Sequence, residues 1–291
     1  EDKVGVRQGC PLSPLLFAIY INNIAKDVSA RGGRVEVGGA RLGLMLFADD
    51  IVLFADSREG LQRSLNLAWQ YSRTWRFNFN LGTRKSEVMV LGGSVPRERF
   101  WMGEDQMNVV REYCYLGIVL MEEGWWDKGR ERLTQKANRA LWKAVGMGML
   151  EKGLSSDAAC DIYETFVRPV CEYAGEILGE RKWEEAEVLQ RRVGRTILCA
   201  GDAVANEVVQ GELVWWTVRG RLDFLRLMYY AKLATEESDL IRGVFESCRN
   251  RAEHGQKNTW CAYTRKLMVE LGLELEWMTG AVGERGEWRK R

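Results

Sequence analysis

The sequence predicts an α+β fold: an antiparallel sheet with packed helices over residues 1–122, then an all-helical region. Three observations carry this. An apolar strand, an acidic pair and a second apolar strand follow one another across residues 40–55. Helices with good capping residues flank that hairpin. From residue 127 onward only helical periodicity is left.

Taken in order, residues 14–28 read as a helix. Ser13 is the expected N-cap, and Pro14 suits a first helical position, where a missing N–H costs nothing. Strands are expected around 34–37 and 40–47, then a tight turn at Asp49–Asp50 and a strand over Ile51–Ala55. Ser57 is expected to cap a helix over 58–76, where Leu61, Leu65, Ala68, Trp69 and Ser72 form one stripe. Residues 86–91 read as a strand and 113–120 as part of a hairpin. The Gly-rich joint EEGWWDKG is the expected boundary. Helices are then predicted over 127–147, 155–178, 183–199, 218–235, 238–252 and 258–272, with a frayed end at TGAVGERGEWRKR.

Composition narrows the function. With 46% hydrophobic and 29% charged residues, the chain is a folded protein and not a disordered one. A net charge of +1 excludes nucleic-acid binding through bulk charge, so any such binding must use local basic faces. Seven cysteines without a CxxC pair do not make a structural zinc motif, even with His254 between Cys248 and Cys261. They fit an intracellular, reducing compartment, with nucleus and cytoplasm undistinguished. No segment reaches the ~18 apolar residues a bilayer requires. The chain opens on Glu1 in what reads as the middle of a working loop, so a fragment is expected.

Asp49 and Asp50 are the main chemical signal. Adjacent carboxylates in a tight turn repel unless a cation lies between them. Mg²⁺ suits such a place because it takes a few carboxylates and completes its shell with water and substrate phosphates. A solvated turn is the plain alternative, since Asp is a favoured turn residue.

Four segments together resemble the reverse transcriptases of non-LTR retrotransposons (LINE-type elements). FADD (47–50) resembles their catalytic hairpin, and GVRQGCPLSPLLFAIYIN (5–22) the Gln-Gly loop and Ser-Pro helix before it. NFNLGTRKSEVMVLG (78–92) resembles the Asn-x-x-x-x-Lys-Ser motif, and EYCYLGIVL (112–120) the hairpin that grips the primer end. RPVCEYAGEIL (168–178) and LQRRVGRTIL (189–198) are similar to the helical thumb of those elements.

The resemblance implies a partial polymerase palm over 1–122, a thumb-like region over 127–235 and a helical extension of unassigned role over 236–291. It implies RNA-directed DNA synthesis, a nucleotidyl transfer with RNA template, DNA primer, dNTP and Mg²⁺. Asp49 would bind the metal, with Asp50 supporting the metal or the primer 3′ end. Phe47 would support the primer terminus, or be a core strand residue. Gln8 and Gly9 would lie beside the incoming nucleotide, although a turn explains Gly9 equally well. Lys85 would stabilise charge at the departing pyrophosphate, and is otherwise a solvated lysine. Tyr115, Leu116 and Gly117 would form the primer grip, or an ordinary hairpin with a Gly bulge. The family's upstream metal-binding aspartate has no counterpart before Gly5, so this fragment is expected to be inactive alone. A non-catalytic nucleic-acid-binding remnant of a decayed element and a group II intron-type maturase are the alternatives.

Independently of the family, a helix over 127–147 places Arg132, Lys136, Arg139 and Lys143 within about 60° of arc. Leu133, Ala137, Ala140, Leu141 and Ala144 fall on a neighbouring arc. Such a stripe, about 16 Å long, can follow a phosphate backbone, or simply be a solvated face. Arg191, Arg192 and Arg195 form a smaller cluster, and the tryptophan pairs 125–126 and 215–216 read as core or interface.

Overall fold

A computed structural model describes residues 5–7, 9–92, 99–124, 126–150, 154–179 and 182–280. The chain divides into two compact units, Glu1–Tyr113 and Cys114–Arg291.

The first unit opens with α1 (Ser13–Arg31). The helix begins one residue before the expected start, so Leu12 is the N-cap and makes no side-chain cap. Ser13 is not the cap because its hydroxyl donates to the Arg7 carbonyl at 2.6 Å, closing the preceding loop. β1 (Val35–Val37) and β2 (Ala40–Leu42) form an antiparallel hairpin. Its turn, Gly38–Gly39, has φ of 59° and 78°, the left-handed pair that a two-residue hairpin favours. The strand expected over 40–47 is therefore two, parted at Gly43. β3 (Leu44–Phe47) pairs instead with β4 (Asp50–Leu53).

Ser57 caps α2 (Arg58–Trp75), its hydroxyl accepting from the Gly60 amide at 3.3 Å. Of the expected stripe, Leu65, Ala68 and Ser72 are buried, while Leu61 and Trp69 are half-buried against the core. Gly33 allows a close crossing here, because a Cβ would lie 2.5 Å from that of Ala55. Its amide meets the Ser64 hydroxyl at 2.8 Å. β5 (Glu87–Met89) runs parallel to β7 (Asp105–Val110), which also pairs antiparallel with β6 (Phe100–Met102). β6 and β7 were not anticipated from the sequence. The core holds Ile24 and Val28 of α1 against Leu65, Tyr71, Phe100 and Met107.

The second unit takes in β8 (Glu112–Tyr115), which crosses the division, and its hairpin partner β9 (Ile118–Met121). α3 (Asp127–Gly146) follows and buries Leu133, Ala137, Leu141 and Ala144. The single helix expected over 155–178 is broken into α4 (Ser156–Ile162), a π-helical turn (Tyr163–Val167), α5 (Arg168–Cys171) and α6 (Gly175–Leu178). Pro169 accounts for the break, since it donates no N–H and its ring crowds the carbonyl four residues back, so the preceding turn widens.

α7 (Glu184–Ile197), α8 (Asn206–Glu212) and α9 (Val218–Ala234) complete one core around Tyr163, Trp183, Leu189 and Leu222. α10 (Asp239–Glu253), α11 (Trp260–Glu270) and α12 (Glu274–Thr279) enclose a second, in which Tyr230 stacks on Trp277 at 5.4 Å. α8 and α12 were not expected. The frayed segment expected at the end lies, from residue 281, outside the described residues. No described helix is long and apolar enough to cross a membrane.

Candidate functional site

The acidic turn is the two-residue loop of the β3–β4 hairpin. Phe47 and Asp50 face each other across the ladder, with Ala48 and Asp49 between them. Ala48 sits at φ 50°, a left-handed conformation that a Cβ disfavours by about 1–2 kcal/mol. Leu44 is buried at the root of the hairpin and so fixes the turn to the core. Both carboxylates are exposed. Among the described residues, neither takes part in a salt bridge or side-chain hydrogen bond. Phe47 is 61% exposed, so it is not the core strand residue that was its plain alternative.

Two adjacent, unpartnered carboxylates suit a hard divalent cation in kind, because such ions take oxygen donors. They supply only part of a coordination shell. No group of three or more His, Cys, Asp or Glu able to hold a metal exists among the described residues.

The Asn80–Ser86 loop is built by its own polar residues. The Asn80 carboxamide oxygen accepts from the Gly82 amide at 3.1 Å, and the Asn80 carbonyl accepts from the Ser86 hydroxyl at 2.8 Å. Arg84 takes a left-handed φ of 63°, with its amide held by Glu87 at 2.9 Å. Lys85 is therefore presented from an ordered loop, its carbonyl accepting from Tyr113 at 2.7 Å. Its ammonium is exposed and makes no ion pair among the described residues. Gly9 has φ 81° and open space where a Cβ would stand, so the turn alone requires glycine there. Gln8 lies outside the described residues.

Tyr115, Leu116 and Gly117 form the end of β8 and its turn. Leu116 and Gly117 both have positive φ, 47° and 83°. Tyr173 fastens this turn by donating to the Leu116 carbonyl at 2.7 Å, with its ring beside Gly117.

On α3, Arg132, Arg139 and Lys143 are exposed and Lys136 is half-buried, beside the buried apolar face. None of the four has an ion pair among the described residues. The buried Arg130 steadies the start of the helix, contacting the exposed Asp127 and reaching the Leu178 carbonyl at 3.4 Å. Deeper in, the Trp183 indole donates to Thr134 at 2.9 Å.

An open groove of about 640 Å³ runs along α7, lined in part by Arg191, Arg192, Arg195, Thr196 and Asp202. Two of its arginines have structural partners. Arg191 pairs with Glu184 at 2.6 Å, and Arg195 donates to Asn206 at 2.7 Å. Hydrogen bonds from Lys182 and Arg191 hold the Glu184 carboxyl below its ordinary range.

The tryptophans divide. Trp215 is buried against Tyr163, with ring centroids 4.6 Å apart, and Trp126 is half-buried. Trp216 is exposed, with one edge-on contact to Phe224, and Trp125 lies outside the described residues. Trp142, which the sequence reading did not single out, is also exposed.

Comparison with known proteins bears on this hairpin and loop directly. The family profile "Reverse transcriptase (RNA-dependent DNA polymerase)" matches residues 2–120. Over this stretch the chain is similar to the reverse transcriptases of non-LTR retrotransposons. Its relatives agree. The Retrovirus-related Pol polyprotein from type-1 retrotransposable element R2 of Nasonia vitripennis is 47% identical over 62 residues, 21% of this chain and 6% of that protein. The corresponding polyprotein from type-2 element R2DM of Drosophila melanogaster is 31% identical over 132 residues, 41% of this chain and 12% of the relative. The Probable RNA-directed DNA polymerase from transposon X-element of the same fly is 23% identical over 257 residues, 84% of this chain. The chain thus spans 6%, 12% and 27% of the three relatives' lengths. The profile match falls on the α+β part of the chain, and the helical region follows it.

Proposed function

We propose that this chain contributes the acidic turn, the lysine loop and a helical nucleic-acid-binding region to an RNA-directed DNA polymerase. The proposed substrates are an RNA template, a DNA primer and dNTP. The carrying observation is the pair Asp49–Asp50, exposed and unpartnered at the tip of a core-anchored hairpin, inside the segment that matches the reverse transcriptase profile.

In this reading Asp49 and Asp50 hold Mg²⁺. Bound there, the ion would activate the primer 3′-hydroxyl and neutralise charge on the transferring phosphate. Phe47, exposed beside Asp50, offers an apolar surface to the primer terminus. Gly9 lets backbone approach the incoming nucleotide, with Gln8 beside it. Lys85 donates to, or balances, the charge that develops on pyrophosphate. The turn at Tyr115, Leu116 and Gly117 holds the primer strand, and Tyr173 keeps that turn in shape. Arg132, Lys136, Arg139 and Lys143 follow the phosphate backbone.

Two carboxylates are an incomplete site, so the chain by itself is expected not to extend a primer. Binding of Mn²⁺, a paramagnetic stand-in for Mg²⁺, tests the site without requiring turnover. The wild-type chain should relax solvent water or broaden signals of residues 47–50 on adding Mn²⁺, and Asp49→Asn with Asp50→Asn should abolish the effect. An unchanged response in the double variant would remove the metal assignment. Primer extension by the purified chain would refute the expectation that it is inactive. A protein with these residues and an otherwise complete polymerase should lose RNA copying on the same double substitution. A non-catalytic remnant would show no such loss.

A further inference from the structure

Trp142 is 68% exposed on α3, a helix whose other large apolar residues face the core. It has no ring contact, hydrogen bond or cation–π partner among the described residues. On its surface it is flanked by Asn138, Arg139, Lys143 and the half-buried Val145. Arg139 stands three residues before it, one turn along the same surface, and Lys143 follows it directly. Helical side chains lean toward the N-terminus, so the indole lies over the turn that carries Asn138 and Arg139. One turn beyond it, at the position four residues on, Gly146 has no side chain and nothing within 4 Å of where a Cβ would be. The indole therefore flanks the basic stripe and is bare toward solvent.

A cation row without ion pairs among the described residues and an adjacent exposed aromatic are complementary to one kind of ligand. A single strand offers phosphates at its backbone and flat π-faces at its bases, and every base can stack. A regular duplex hides those faces. We infer that Trp142 is a stacking site for an unpaired nucleobase, held in place by phosphate contacts to Arg139 and Lys143. The assignment rests on the nucleic-acid reading of the α3 stripe and adds to it the class of strand: nucleotides outside a duplex, whether of template or primer.

The test uses the full chain and fluorescence anisotropy at low salt. The probes are a labelled single-stranded oligonucleotide and the same length of abasic strand, which keeps the phosphates and lacks the bases. The wild-type chain should prefer the base-bearing strand. Trp142→Ala should weaken that binding about 5- to 100-fold, as expected when one stacked base is lost. It should leave abasic binding and the salt dependence unchanged, and Trp142→Phe should retain most of the preference. Equal wild-type affinity for the two strands, or a Trp142→Ala chain that still prefers bases, would overturn the assignment. Failure of the underlying stripe looks different: Arg139→Glu with Lys143→Glu would then leave binding of both probes unchanged. Because Trp142 is largely exposed, loss of the preference with an unaltered thermal transition would mark a binding effect.

Discussion

The phenol of Tyr113 donates to the carbonyl of Lys85 across 28 residues of sequence, at 2.7 Å. This bond fixes the backbone of the lysine loop to β8, so the position of the ammonium depends on a residue outside its own motif. Tyr113→Phe should lower the stability of the chain by about 1 kcal/mol, read as a shift of the urea midpoint with an unchanged slope. In a version of the protein that extends primers, Tyr113→Phe should also slow nucleotide addition, and by less than removal of the lysine itself.

Lys85→Ala in such a version should reduce the single-turnover rate of nucleotide addition by on the order of a hundredfold, the usual size of a lost general acid. Affinity for primer–template should hold, because the residue is assigned to charge that appears only as pyrophosphate departs. Single-turnover rates that match wild type would leave Lys85 as a solvated lysine on an ordered loop.

Ala48 occupies φ 50° in the loop that carries Asp49. Glycine adopts this conformation without the steric cost of a Cβ. Ala48→Gly should therefore stabilise the chain by up to about 1 kcal/mol, the relief being partly offset by the freer unfolded state. A melting temperature that falls on substitution would contradict strain at Ala48. Strain at the tip of an otherwise regular hairpin is consistent with a turn shaped to aim carboxylates.

The hairpin, the Ser57 cap and the amphipathic α3 could be read from the sequence because each is set by local rules. Alternation, a capping hydroxyl and a 3.6-residue period lie within a few residues of one another. The misses have longer-range causes. Ser13 looked like a cap, but its hydroxyl is taken by Arg7. Pro169 was visible, yet 155–178 has helical composition throughout, and only the packed chain shows the π turn that precedes the proline. β6 and β7 were passed over although Gly103 marks their turn at φ 65°, because the strands are short and one of them is held by the sequence-distant β5. In the candidate site, motif resemblance is what singles out Asp49, Asp50 and Lys85. The support from Tyr113 and Tyr173, and the exposure of Trp142, are tertiary facts that no local pattern announces.

The basic stripe makes a quantitative prediction about salt. Each phosphate neutralised on a duplex contributes about −0.9 to the slope of log K against log salt, and about −0.7 on a single strand. Four contacts from Arg132, Lys136, Arg139 and Lys143 should give a contribution of about −2.8 to −3.6. Arg139→Gln with Lys143→Gln should lower the slope by about 1.4 to 1.8 while weakening binding to all sequences alike. Binding that ignores salt would identify α3 as a merely solvated face.

Alkaline pH should expose the core of the second unit. Burial is the main reason that the Cys171 thiol is pushed up from its ordinary value near 9 to about 12, and it raises the Tyr163 phenol as well. Both groups keep their protons in the folded state at pH values where the unfolded chain releases them. Their contribution to stability is therefore complete below about pH 9 and declines as pH rises toward 12, Cys171 acting first and Tyr163 from about pH 10 upward. One such group changes stability by about 1.4 kcal/mol per pH unit across its window. Urea midpoints measured from pH 8 to 11 should fall, and Cys171→Ala should make the decline shallower between pH 9 and 10. A thiol reagent at pH 8 provides an independent reading: the exposed Cys114 and Cys199 should react well before Cys171. Equal labelling rates would mean that this core opens readily, and the alkaline loss of stability should then be absent too.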